Sequence, residues 1–112
     1  MMIHKDLTSE DWFKYSLFKQ LSNVGTEVSR AIRWKNKGKP DLSKKAFYRA
    51  LELLYLTIDD PKNRGACLKE LTRAYEMLGD YFAGENEYNS SDDLWEKYFL
   101  PYNYAARVKA LA

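Results

Sequence analysis

The segment from Leu42 to Ile58 most constrains the fold, because as a helix it has almost no polar side. At about 100° per residue, its apolar residues form one stripe and also occupy most of the opposite side. The stripe holds Phe47, Leu51, Leu54, Tyr55 and Ile58, and the opposite side holds Leu42, Ala46, Ala50, Leu53 and Leu56. A helix that is apolar nearly all round is enclosed by neighbours. We therefore expect the other segments, or a second copy of the chain, to cover it.

Helical spacing of apolar residues continues through most of the chain. It predicts helices over residues 9–36, 42–58, 61–83 and 92–111, and no segment has the sustained alternation of a β-strand. With short connections, the simplest arrangement is an all-α, up-down-up-down bundle of four helices. Pro101 lies inside the last segment, and proline removes a hydrogen bond from a helix interior. The sequence therefore predicts a kink or break near Pro101.

Short sequence signals predict where these helices begin and end. Thr8 is suited to cap the first helix and Ser90 or Ser91 the last, and Asp60 is suited to cap a helix that starts at Pro61. Gly38 and Pro40 end the first helix. Gly25 lies inside the first helix, where we expect a neighbouring helix to approach closely.

Length and composition favour a single folded domain over residues 1–112. The chain has 46% hydrophobic residues, which is enough to form a core without disulfides, and its one cysteine, Cys67, has no internal partner. The start of the sequence has no apolar run typical of a secretory signal, and no segment approaches the length of a membrane span. We expect a cytoplasmic protein that does not associate with membranes.

Residues that could carry out chemistry are scarce. His4 and Cys67 are the only histidine and cysteine, too few for a zinc or di-iron site, and no phosphate-binding glycine loop is present. Glu27 borders the apolar stripe of the first helix. An acid there either is functional, or pairs with a basic residue of a neighbouring helix or reaches water at the edge of the stripe. The sequence predicts no enzymatic activity, no cofactor, no metal and no small-molecule substrate.

Two helical families share features with this chain. The pattern YxxLGxxF over residues 75–82 resembles the opening of a tetratricopeptide repeat, and Trp95 falls near a later aromatic position of that motif. No second copy follows at the period of about 34 residues that such repeats need. The helix content also resembles that of small ribonucleases with HEPN architecture, but their arginine–histidine pair is absent, since His4 precedes every predicted helix.

The most distinctive local feature is a basic segment from Arg30 to Arg49. It holds eight cations and a single acid, Asp41, for a local charge of +7 in a chain whose net charge is only +2. The candidate contacts to nucleic acid are Arg30, Arg33, Trp34, Lys35, Lys37, Lys39, Lys44 and Lys45. Cations among aromatic residues suit phosphates and unpaired bases. In an up-down-up-down bundle, however, the acidic segment 85–96 would lie at the same end and could neutralise them.

Two functions follow as hypotheses. The first is a non-enzymatic, self-associating interaction protein whose subunits meet through the extra apolar face of the second helix, formed by Leu42, Ala46, Leu53 and Leu56. The alternative is an accessory protein that binds RNA or DNA through the basic segment, beside a larger protein partner.

Overall fold

The computed structural model describes residues 8–111, with side chains from 8 to 104, and all regular structure among them is helical. The helices are α1 (Ser9–Phe13), α2 (Leu17–Asn36), α3 (Pro40–Asp59), α4 (Ala66–Phe82) and α5 (Asp92–Leu111). The predicted all-α class is confirmed. The four-helix up-down-up-down arrangement is not confirmed, because five helices are present.

The first predicted helix is divided into α1 and α2. Thr8 caps α1, as its hydroxyl accepts a backbone hydrogen bond, and Ser16 caps α2 by accepting from the backbone N–H of Lys19 at 3.2 Å. Each cap satisfies a donor that the first turn of a helix leaves unpaired. Phe13 and Leu17 lie on either side of the break but are four residues apart. Their spacing therefore imitates one continuous apolar stripe.

The connection between α3 and α4 is longer than predicted. Asp60 follows α3 and turns its carboxylate inward, accepting from the backbone N–H of Lys62 at 3.1 Å. The chain then makes a turn, and α4 begins only at Ala66, after Gly65 with φ of +63°. The prediction that Asp60 caps a helix starting at Pro61 is wrong, because the carboxylate of Asp60 is held by the turn and by the core.

The helix α2 lies between α3 and α5. Where it meets α5, Gly25 is buried, and a Cβ at this position would lie 2.8 Å from Cβ of Phe99. The predicted close approach of a neighbouring helix at Gly25 is confirmed. The opposite side of α2 packs on α3, where small side chains such as Ala46 and Ala50 face the core.

The predicted enclosure of α3 is largely correct. Leu54 is fully buried, and Leu51 and Ile58 are half-buried, because α1, α2 and α4 all pack against this helix. Tyr55 is the main exception within the predicted stripe. Its side chain is 60% exposed, although its ring lies 6.5 Å from that of Tyr75 on α4.

The predicted interruption near Pro101 is not confirmed. The helix α5 is continuous from Asp92 to Leu111 with Pro101 inside it. The side chain of Pro101 is exposed, while Trp95 and Phe99, which precede it, are buried in the core. Packing of this aromatic half of α5 against α2 stabilises the helix on the N-terminal side of the proline.

A buried polar network joins the start of α2 to the end of α3. The side chain of Gln20 donates to Asp60 Oδ2 at 2.8 Å and to the carbonyl of Trp12 at 3.0 Å, and it accepts from Asn63 at 3.2 Å. The indole N–H of Trp12 donates to Thr57 Oγ1 at 3.0 Å. All five residues are at most 4% exposed. Their mutual hydrogen bonds make this burial tolerable.

Candidate nucleic-acid interface

The end of α2 and the start of α3 form a tight turn at one end of the molecule. Gly38 has φ of +74°, a conformation that glycine adopts without strain, and the N–H of Lys39 donates to the carbonyl of Trp34 at 2.9 Å. One turn into α3, the buried hydroxyl of Ser43 donates to the carbonyl of Ala31 at 2.7 Å. These bonds hold the basic residues of both helices at the same end, which we call the basic tip (residues 33–45).

Two of the predicted contact residues are engaged within the chain. Arg30 forms an ion pair with Glu27 at 3.0 Å, one turn earlier on α2. Lys35 forms an ion pair with Asp92 at 2.6 Å and donates to the hydroxyl of Tyr81 at 2.8 Å. These two cations are therefore less available to a ligand than the sequence suggested.

Glu27, considered above as a functional acid, is 8% exposed. One of its carboxylate oxygens binds Arg30, and the other has no hydrogen-bond partner among the described residues. Its partner lies on its own helix and not on a neighbouring one.

The other five cations of the basic tip remain exposed. None of them forms an ion pair with any residue from 8 to 104, and Asp41 is the only acid among them in the sequence. They are Arg33, Lys37, Lys39, Lys44 and Lys45. The ammonium of Lys37 lies 5.5 Å from the ring centroid of half-buried Trp34. The basic tip therefore presents five uncompensated cations to solvent, as well as an aromatic residue close to one of them.

The acidic segment 85–96 reaches this end through Asp92. Besides Lys35, the amide of Asn36 donates to Asp92 Oδ2 at 3.2 Å. Asp93 pairs with Lys97 on its own helix, and Glu96 accepts from Ser29 at 2.8 Å, further along α2. The expected neutralisation of the basic end is thus limited to Lys35 in the part of the chain that the structure describes.

Lys35, Tyr81 and Asp92 form a closed group of three, in which the hydroxyl of Tyr81 also donates to Asp92. Burial raises the pKa of the Asp92 carboxyl, but the hydrogen bonds from Lys35 and Tyr81 outweigh it and hold this pKa below its usual value. Burial and the bond to Asp92 raise the pKa of Tyr81. At neutral pH the tyrosine is protonated, and the lysine and aspartate charges cancel.

An aromatic cleft of about 490 Å³ opens beside the basic tip, between the start of α3 and the end of α4. The rings of Phe47 and Phe82 lie 5.1 Å apart across the two helices, and Tyr48 lies 5.5 Å from Phe47. Phe47 is buried, whereas Tyr48 is 47% exposed at the edge of the cleft. Lys44 contributes to both the cleft and the basic tip. The volume is within the range of small-ligand sites in proteins.

The α4 side of this cleft was missed by sequence analysis. Tyr81 and Phe82 are more than thirty positions away from the basic segment, and their spacing predicts only a core stripe. The one available signal was the expectation that the first and third connections share an end of the bundle. That expectation was applied to acidic residues and not to the aromatic ones beside them.

Most residues of the predicted oligomer interface are covered by their own chain. Ala46, Leu53 and Leu56 are 4%, 5% and 6% exposed, so the chain covers them by itself, and only Leu42, at 39%, reaches solvent. The sequence suggested that this face is free for a second copy, because a helix in a symmetric bundle needs only one apolar stripe to contact its neighbours. Here α3 is flanked by α1, α2 and α4, which together need apolar contacts on more than one side.

Residues 8–104 contain no group of three or more potential metal ligands, and Cys67 is free and half-buried. His4 lies outside the described residues. No helix in the described part combines the length and the apolar character that crossing a membrane requires.

Comparison with known proteins gives no relative: the chain matches no family model, no curated protein and no solved structure.

Proposed function

We propose that this protein binds nucleic acid through the basic tip, without catalysing a reaction. The observation that carries the proposal is the set of five exposed cations without an acidic partner: Arg33, Lys37, Lys39, Lys44 and Lys45. Lysine and arginine bind phosphate by charge, and each contact releases a counterion from the nucleic acid. The cytoplasmic location predicted from the sequence would give such a tip access to RNA.

Charge distribution supports the proposal better than total charge does. The chain carries only +2 overall, so a cluster of five cations implies that the remaining surface is close to neutral or acidic. Such asymmetry orients a charged ligand as it approaches. The aromatic cleft is a second supporting feature. The contacts of Lys35 with Tyr81 and Asp92 bring the end of α4, which forms one side of the cleft, to the same end of the molecule as the basic tip.

Self-association by the predicted apolar face receives less support. Three of its four residues would have to leave the core of their own chain before a second copy could contact them. The larger protein partner that the sequence suggested is compatible with nucleic-acid binding, since both proteins could bind the same nucleic acid.

The test compares two triple variants that lose the same charge. In the first, Lys39, Lys44 and Lys45 are replaced by glutamine. In the second, the replaced residues are Lys19, Lys69 and Arg73, which are exposed on α2 and α4, away from the basic tip. Binding of a short, labelled single-stranded RNA is followed by fluorescence anisotropy over a range of salt concentrations.

For the wild-type protein, four phosphate contacts would give a slope of about −3 in a plot of log binding constant against log salt. The tip variant should bind at least about tenfold more weakly and lose about 2 units of that slope. The control variant should change affinity much less. Equal losses in both variants, or no binding by the wild type even at low salt, would refute the proposal.

A further inference from the structure

We infer that the aromatic cleft accepts an unpaired base, so that the ligand of the basic tip is single-stranded and not duplex nucleic acid. This inference rests on the proposed function and specifies its substrate class. Lys44 is one of the five exposed cations of the basic tip and also lines the cleft, so the two surfaces adjoin.

The walls of the cleft suit a flat aromatic ligand. Phe47 and Phe82 are tilted by only 30° to each other at 5.1 Å, and Tyr48 is tilted by 37° to Phe47. Phe47 and Phe82 supply apolar surface anchored in the core, and Tyr48 offers a ring face at the rim. Bases stack on an exposed ring such as that of Tyr48 irrespective of their sequence. In a duplex the bases are already stacked and paired, so their faces are not available to the cleft.

One polar group lies beside the rings. The ammonium of Lys35 has three N–H donors, of which one is directed to Asp92 and another to Tyr81. It also lies 4.5 Å from the ring centroid of Tyr81. The third donor is left for a ligand, and the carbonyl oxygens and ring nitrogens of a base are suitable acceptors. Because Asp92 compensates the charge of Lys35, this wall favours a polar, neutral group over another phosphate.

The neighbouring cations favour a base of a nucleic-acid strand over other flat ligands. A base on a strand is covalently attached to phosphates, so a phosphate on Lys44 or Lys39 leaves the adjacent base near the cleft. A free apolar ligand would gain nothing from the cations, and a duplex would use the cations without the cleft. The combination of an aromatic pocket and an adjoining row of cations is typical of single-strand binding.

The experiment uses Tyr48→Ala, which removes a half-exposed ring without opening the core, and Tyr48→Phe as the matched control that retains the ring. The probes are a single-stranded RNA, its duplex, and an oligonucleotide of the same length that has the sugar–phosphate chain but no bases. Unfolding in urea checks that both variants are as stable as the wild type.

We expect Tyr48→Ala to weaken binding of the single strand about tenfold, as loss of one base stack does, with the salt dependence unchanged. Tyr48→Phe should bind like the wild type. The wild-type protein should bind the strand without bases about as weakly as Tyr48→Ala binds the intact strand. Duplex binding should be nearly the same in all three proteins.

Equal affinity of the wild type for strands with and without bases would overturn this inference, as would an equal loss of duplex binding in Tyr48→Ala. Either result, combined with strong binding that depends on Lys39, Lys44 and Lys45, would leave the proposed function intact. Absence of binding to every probe would instead refute both.

Discussion

The two ends of the α2–α3 pair use polar side chains in opposite ways. At one end, Gln20, Asp60 and Asn63 are buried, and their hydrogen bonds are made with one another and with the nearby backbone. At the other end, five of the six cations of the basic tip, all except Lys35, are exposed and have no acidic partner among the described residues. Polar groups that satisfy each other contribute to stability. Polar groups that are exposed and have no partner within the protein are available to a ligand.

This difference separates stability from binding. Substitutions in the buried network should lower the free energy of unfolding and leave the tip intact in the folded protein. Substitutions in the basic tip should weaken binding and hardly affect unfolding, because exposed side chains contribute little to stability. Measurements of unfolding and of binding on the same variants test whether stability and binding are separate in this way.

The largest expected effect on stability is that of Asp60→Ala. It removes a carboxylate that is 3% exposed and leaves one of the two N–H donors of the buried Gln20 amide without its acceptor. We expect the free energy of unfolding to fall by about 3 kcal/mol, as when one partner of a buried, charge-assisted bond is lost. Urea denaturation measures this, with the exposed neighbour Asp59→Ala as control, for which the change should stay within about 0.5 kcal/mol. Similar effects of both variants would mean that the network contributes little.

A pair of glycine substitutions tests the packing between these ends. The added Cβ in Gly25→Ala would lie 2.8 Å from Cβ of Phe99, and this overpacking should cost about 2 kcal/mol net of the better helix propensity of alanine. In Gly79→Ala, no atom lies within 4 Å of the new Cβ, so the protein should gain up to about 1 kcal/mol. Thermal unfolding of both variants should show opposite signs. A gain in stability for Gly25→Ala would contradict the close approach of α2 and α5.

The pH dependence of unfolding provides a second test of the buried end. Burial raises the pKa of Asp60, but hydrogen bonds from Lys62 and Gln20 outweigh this and hold it below its usual value. A carboxyl with a lowered pKa in the folded state stabilises the protein fully above its unfolded pKa, near 4, and this contribution disappears as pH falls through the folded pKa. The difference in unfolding free energy between the wild type and Asp60→Ala should therefore be constant from about pH 7 to about pH 5 and shrink below about pH 4. A difference that persists unchanged in acid would indicate that the carboxylate charge is not involved.

The smallest effect is expected at Lys35 and Asp92, an ion pair that lies beside the unpaired cations of the basic tip. Asp92→Asn replaces one charge of a partly exposed ion pair, so stability should fall by only about 0.5 kcal/mol. Since Lys35 then lacks its compensating charge, single-stranded RNA should bind about threefold more tightly at low salt. Asp93→Asn, which affects a pair further from the tip, is the control. Weaker binding by Asp92→Asn would show that the carboxylate positions Lys35 or Tyr81 for the ligand.

Local features of the fold were predicted well. The caps at Thr8 and Ser91, the end of α2 before Gly38 and the close contact at Gly25 all agree with the structure. Each depends on a few consecutive residues or on one helix face, which the sequence displays directly.

Features that depend on distant residues were predicted poorly. The break before Ser16 was hidden by helical spacing, and the late start of α4 results from Asp60 bonding to Gln20, forty positions earlier. The face thought to be free for a second copy is covered by three helices of the same chain. Among the eight predicted contacts at the basic end, Lys35 is paired with a residue 57 positions away, Asp92, which only the tertiary structure shows.

The sequence by itself therefore determined that the chain is helical and that its cations are concentrated between residues 30 and 49, because helix periodicity and charge are properties of neighbouring residues. Only the tertiary structure decided which of those cations stay free and which aromatic rings stand beside them. Those facts depend on the packing of α4 and α5 against α2 and α3, through contacts between residues some thirty to sixty positions apart.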